Sequence, residues 1–173
     1  MKHKIALLAI LAITLAGAGV AFGQATTSGT VSITAEISPI AELTLGAATV
    51  DFPNTTPTNN GTLTAAVTTA VTANVRTAGL ATLVATANHD LKSIGGDTIP
   101  IGNVFSSIDS DHGFFITGAQ AMSTTGTTVG GGASGGGGIS GSYTGLWTWT
   151  FTNQWTYKTG NYSATISYLL SAP

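Results

Sequence analysis

From Trp147 to the end of the chain, apolar and polar residues alternate with hardly a break. Trp147, Trp149, Phe151, Trp155 and Tyr157 share one parity, interrupted only at Asn153, and Thr148, Thr150, Thr152 and Thr156 take the other. After Lys158-Thr159-Gly160-Asn161 the alternation resumes, with Tyr162, Ala164, Ile166, Tyr168 and Leu170 against Ser163, Thr165 and Ser167. Successive side chains of a strand point to opposite faces, so the pattern predicts two long strands joined by a turn, as a half-buried antiparallel hairpin. All 3 tryptophans of the chain fall in this stretch. A ribbon this aromatic needs a second sheet to cover it, which points to a sandwich.

The same period runs through the rest of the chain. Thr30–Ile37 places Val31, Ile33, Ala35 and Ile37 on one face and Thr30, Ser32, Thr34 and Glu36 on the other, as a first strand. Pro39 interrupts it, and Ile40–Leu45 continues. Further strands are predicted over Leu63–Val67, Val71–Arg76, Leu80–Ala87, Asn103–Ile108 and Phe114–Thr117, with Thr77-Ala78-Gly79 as a turn. Asp90–Ile101 reads as a loop that returns as an extended segment. No helical period follows the first residues. About eight to ten short strands with turn signals between them mean an all-β chain, a single antiparallel β-sandwich of immunoglobulin-like or pilin-like type. Residues 124–142, with the glycine run around Gly130–Gly138, read as a flexible surface loop, because glycine buries no apolar surface and loses most entropy when ordered. A phosphate cradle would need a lysine after the glycines and a helix following, and the sequence has neither.

The chain opens with Met1-Lys2-His3-Lys4, an apolar run from Ile5 to Leu15, and small residues up to Gly23. That order predicts a cleaved secretory signal peptide over residues 1–23, ahead of one sandwich domain over residues 24–173. The apolar run is near the lower limit for a membrane span, and no later segment is a transmembrane candidate. Export to the extracellular cell surface is the expected localisation. Without the leader, Arg76, Lys92 and Lys158 face seven carboxylates, for a net charge near −4. This gives no basic footprint for nucleic acid or for an anionic membrane. There is no cysteine, so such an exported domain holds together by its core. Only 7% of residues are charged. Charge normally keeps sheets from pairing edge to edge, so its scarcity suits a chain that self-associates or sits in a matrix.

Two segments resemble known surface proteins. Asp90-Leu91-Lys92-Ser93-Ile94-Gly95-Gly96-Asp97-Thr98-Ile99-Pro100 is similar to a turn of secreted prokaryotic β-sandwich surface proteins. The segment from Gly160 to Pro173, with Tyr162, Ala164-Thr165-Ile166, Tyr168 and Leu170, resembles the closing strand of the WxL family of cell-surface domains and of pilin-like proteins. Where the WxL family carries its Trp-x-Leu tripeptide, the nearest segment here is Trp147-Thr148-Trp149. The resemblance implies an exported β-sandwich at the cell surface, and for WxL domains non-covalent attachment to the cell wall.

No residue set suggests a reaction, and the chain reads as a non-enzyme without cofactor. His89-Asp90 are neighbours at a strand end, but a triad is defined by geometry that adjacency does not supply. Asp109-Ser110-Asp111-His112-Gly113 has the look of a calcium turn, yet lacks the third oxygen ligand and any glutamate downstream, and reads as a polar turn. No metal site is expected. Asn54, Asn60 and Asn161 each begin an Asn-x-Ser/Thr sequon. Two features bear on function. Trp147, Trp149, Trp155 and Tyr157 could form a carbohydrate-stacking platform, although the all-threonine opposite face makes them the natural core side. Val31, Ile33, Ala35 and Ile37 form an apolar row on a strand near the mature N-terminus, which could leave its own domain to complete the sheet of another copy. The expected function is therefore structural, as a filament or pilus-like subunit assembling by strand donation. The alternative is a module binding cell-wall or surface polysaccharide.

Overall fold

A computed structural model describes residues 28, 30–46, 49–54, 61–65, 67–108, 113–132 and 138–173. The predicted signal peptide, the Asp109–His112 turn, the sequon at Asn60 and the centre of the glycine-rich segment lie outside these residues. The chain divides into two units, Met1–Glu36 and Ile37–Pro173. In the first, the described residues carry no helix or strand.

The second unit is an antiparallel β-sandwich. Its strands are β1 (Ile40–Leu45), β2 (Thr62–Thr64), β3 (Thr69–Thr77), β4 (Ala81–Ala87), β5 (Leu91–Ser93), β6 (Thr98–Ile99), β7 (Val104–Ile108), β8 (Gln120–Ala121), β9 (Thr127–Gly132), β10 (Ile139–Thr152), β11 (Tyr162–Ser163) and β12 (Ile166–Ser171). One sheet runs β1-β3-β10-β7-β8, with β2 also on β10. A second runs β12-β4-β9, and a small third β11-β5-β6.

The alternation read from the sequence sets the buried faces. On β3, Thr69, Val71, Ala73, Val75 and Thr77 are buried, and on β4 Ala81, Leu83, Ala85 and Ala87. These rows belong to different sheets although only a short turn separates the strands. Thr77 holds that turn, its hydroxyl accepting from the Gly79 N–H at 3.0 Å and donating to the Pro173 carbonyl. The alanines leave room for rings, and Trp147, Trp149, Phe151, Phe114 and Phe115 complete the core.

The predicted C-terminal hairpin is not formed. β12 pairs with β4, from Ile166↔Ala87 to Ser171↔Thr82, and β10 pairs with β3, β2 and β7. The two aromatic rows lie on opposing sheets, where Trp147 stacks on Tyr168. Alternation fixes which face of a strand is apolar. It does not fix which strand lies beside it.

The glycine-rich segment differs from expectation at both described ends. Thr127–Gly132 is a strand on β4, and Ile139–Ser142 begins β10. Glycine is used here for close approach. A Cβ on Gly130 would sit 3.1 Å from the Phe114 ring and 3.2 Å from the Leu83 Cβ. Gly131 has φ +152 and would bring a Cβ within 2.9 Å of the Ala81 carbonyl.

β10 is paired unevenly. Ile139–Trp147 pairs with β3 on one side, and on the other, among the described residues, β7 pairs with Trp147–Phe151. The Trp149 carbonyl accepts from the Ala65 N–H at 3.0 Å, on the β2 side. In an antiparallel ladder, hydrogen-bonding groups alternate sides along a strand. Ser140, Ser142 and Thr144 therefore direct N–H and C=O away from β3, to an edge where no strand among the described residues pairs with them.

Candidate functional site

Val31, Ile33, Ala35 and Ile37 are the residues the sequence nominates for assembly. No strand is assigned over Thr30–Pro39, so the predicted first strand is absent within a single copy. All four side chains are exposed, with Val31 at 86%, Ile33 at 88% and Ile37 at 71%. A β-branched apolar row in that state has high strand propensity and no ladder among the described residues. Just beyond it, the Arg76 Nε donates to the Ser38 carbonyl at 3.0 Å, at the start of β1.

The aromatic candidates do not stay together. Trp147, at 2% exposure, and Trp149 are core residues of β10. The Trp149 Nε1–H donates to the Thr69 hydroxyl at 3.0 Å, inside the core. Trp155 and Tyr157 lie beyond the end of β10, in a turn. Trp155 is 67% exposed, while Tyr157 is half-buried and stacks on Phe151 with centroids 6.1 Å apart. Burial raises the pKa of Tyr157 above the ordinary tyrosine value. A flat platform of all four rings is thus not present. Asn153 and Gln154 break the strand that the alternation had carried through to Tyr157.

The Asp90–Pro100 segment is a small hairpin with its own clamps. Ser93 Oγ accepts from the Asp97 N–H at 3.0 Å, and Asp90 Oδ1 accepts from the Ile101 N–H at 2.9 Å. Gly96 supplies the positive φ of +89 that the turn needs. Lys158 Nζ reaches Asp97 Oδ1 at 2.5 Å, tying this hairpin to the Trp155–Lys158 turn. The hydrogen bond to Asp97, and then its charge, raise the Lys158 pKa. His89 is an exposed turn residue, its Nδ1 lying 2.5 Å from the Asp90 carbonyl. With its Oδ1 committed to the Ile101 N–H, Asp90 acts as a turn clamp. Among the described residues, no group of three His, Cys, Asp or Glu side chains could hold a metal ion, and no helix is long and apolar enough to cross a membrane.

The open edge of β10 is what sequence reasoning missed. The sequence shows the strand only from Trp147 onward; Ile139–Ser142 reads as part of a flexible loop, so both the start of β10 and the missing neighbour beside it leave no mark. No protein-family model and no curated protein matches the chain.

Proposed function

We propose that this protein is a non-enzymatic structural component of the cell surface, exported by its leader, whose copies assemble into filaments by donating the Thr30–Ile37 segment. The observation that carries the reading is the exposure of Val31, Ile33 and Ile37, at alternate positions, in a stretch with no assigned strand. Fully burying a Val or Ile side chain contributes about 1.5–3 kcal/mol before ordering costs, so Val31, Ile33 and Ile37 supply the driving force for a donated strand. Main-chain hydrogen bonds supply affinity, and the alternate side chains set register. A head-to-tail contact whose rotation does not close on itself propagates as a filament. The scarcity of charge and the resemblance of the C-terminal strand to WxL and pilin-like domains fit the same picture.

The test is size-exclusion chromatography with negative-stain microscopy on the chain from Gln24. Filaments or a concentration-dependent ladder, abolished by deleting residues 26–37, are expected. Assembly that survives the deletion, or a monomer at all concentrations, overturns the proposal. Polysaccharide binding is the competing reading. The burial of Trp147 and Trp149 leaves it Trp155 as its one exposed tryptophan.

A further inference from the structure

We infer that the acceptor of the donated strand is the open edge of β10 over Ile139–Gly145, and that its occupant is Thr30–Ile37 of a second copy of this chain. The inference rests on the strand-donation reading and adds the site at which it happens.

Three features of this edge suit the donor. The first is hydrogen bonding. Ser140, Ser142 and Thr144 present main-chain donors and acceptors at every second residue, away from β3, and no strand among the described residues meets them. The same side of β10 is occupied by β7 from Trp147 onward. Among the described residues, Ile139–Gly145 is therefore a notch within the sheet, which an added strand would fill along the line of β7.

The second is length and shape. The notch spans Ile139–Gly145, and the donor Thr30–Ile37 matches it to within a residue. On the inner face of this stretch Ile139 and Tyr143 are half-buried, with the Tyr143 ring lying over Gly141 and the Ile108 side chain over Gly145. The Tyr143 ring stacks on Phe114 with centroids 5.3 Å apart. An incoming row of Val31, Ile33, Ala35 and Ile37 would lie beside Ile139 and Tyr143, covering apolar surface that β10 leaves partly exposed.

The third is charge. The donor carries one charged residue, Glu36, and the β10 stretch carries none. Ser140 is paired on its far side with Arg76 of β3. An antiparallel register with Glu36 opposite Ser140 puts Glu36 on the outer face shared with Arg76. It also sets Thr34 opposite Ser142 and Ser32 opposite Thr144, so polar residues face solvent along both strands. Among the described residues the edges of β1 and β12 are also open, but each lies at the end of its sheet, with no neighbouring strand there to delimit a segment of donor length.

The test exploits the absence of native cysteine. The chain from Gln24 carrying Thr34→Cys and Ser142→Cys, both at exposed positions, is treated with a short bis-maleimide. A covalent ladder on denaturing gels is expected. Thr34→Cys combined with Thr44→Cys on β1, or with Ser167→Cys on β12, should give none. Ser142→Pro removes one N–H from the open edge while sparing the β3 ladder, and should weaken assembly about tenfold or more with the fold retained by circular dichroism. A ladder through Thr44 or Ser167 instead overturns the β10 site and leaves strand donation standing. Cross-linking confined to single copies overturns the second-copy occupant. A chain that never assembles, with or without residues 26–37, removes the underlying reading and this inference with it.

Discussion

The indole of Trp147 lies nearly parallel to the phenol ring of Tyr168, with centroids 5.0 Å apart and an interplanar angle of 17°. The contact joins β10 to β12 across the sandwich, and Phe115 and Trp149 meet the same indole edge-on, at 6.2 and 6.4 Å. Stacked and edge-on pairs each add to what burial alone supplies.

Truncating Trp147 to alanine should therefore cost about 3–5 kcal/mol, the range for deleting a buried large aromatic side chain. That is a large fraction of the stability of an ordinary domain. Urea unfolding followed by far-ultraviolet circular dichroism measures it. A loss below about 1 kcal/mol would mean that the indole is not the keystone of this core.

Tyr168 predicts an alkaline signature. Burial raises its pKa well above the ordinary tyrosine value. In the unfolded chain the phenol ionises near pH 10. Above that pH the unfolded state has lost a proton that the folded state keeps, so stability falls as pH rises, by at most about 1.4 kcal/mol per unit from this group. Tyr168→Phe should flatten the slope between about pH 10 and 11 and change little at pH 7. Unfolding midpoints across that range decide it.

The Trp149–Thr69 hydrogen bond is buried and joins two positions 80 residues apart in sequence. Thr69→Val keeps the shape and removes the acceptor, leaving the indole N–H unsatisfied. The expected cost is about 1–3 kcal/mol, visible as a lower denaturation midpoint, and Thr69→Ser should restore most of it.

Gly131→Ala forces a side chain into a positive-φ backbone, against the Ala81 carbonyl. A destabilisation of about 1–3 kcal/mol is expected, lowering Tm by about 2–4 °C for each kcal/mol. Gly102→Ala meets nothing closer than 4.0 Å and should be nearly silent in the same calorimetric scan. Equal effects at both positions would contradict the close approach of β9 to β4.

The tryptophans should separate in fluorescence. Trp147 and Trp149 are buried and Trp155 is exposed, so acrylamide should quench a single red-shifted component, which Trp155→Phe removes. If added cell-wall polysaccharide protects Trp155 from quenching, the binding reading gains the support it now lacks. Three equally accessible tryptophans would contradict the core described here.

Particular elements show how far the sequence could be read. Ile40–Leu45 was legible to its ends, because Pro39 closes one side and Gly46 the other. β3 and β4 were legible to within two residues, because one face of each is continuously buried. The row Val31, Ile33, Ala35 and Ile37 was legible as apolar alternation, but no strand forms there in a single copy, since alternation records a face that suits burial and not the partner that buries it. Trp155 and Tyr157 kept the parity of β10 past its end, so the pattern overran the strand. β9 was hidden for the opposite reason. Thr127–Gly132 looked too poor in side chains to be ordered, and glycine is the residue that lets β9 lie against β4 and Phe114.

By itself, then, the sequence determined the class of the fold and the inward faces of β3, of β10 from Trp147 and of β12, because a period of two is a local property of the chain. It also determined the apolar N-terminal row and the scarcity of charge. Only the tertiary structure decided that β10 and β12 face each other across the sandwich instead of pairing. It alone decided which tryptophans are core and where, among the described residues, β10 has an open edge. Strand partners are chosen by contacts between residues far apart in sequence, and no local pattern encodes them.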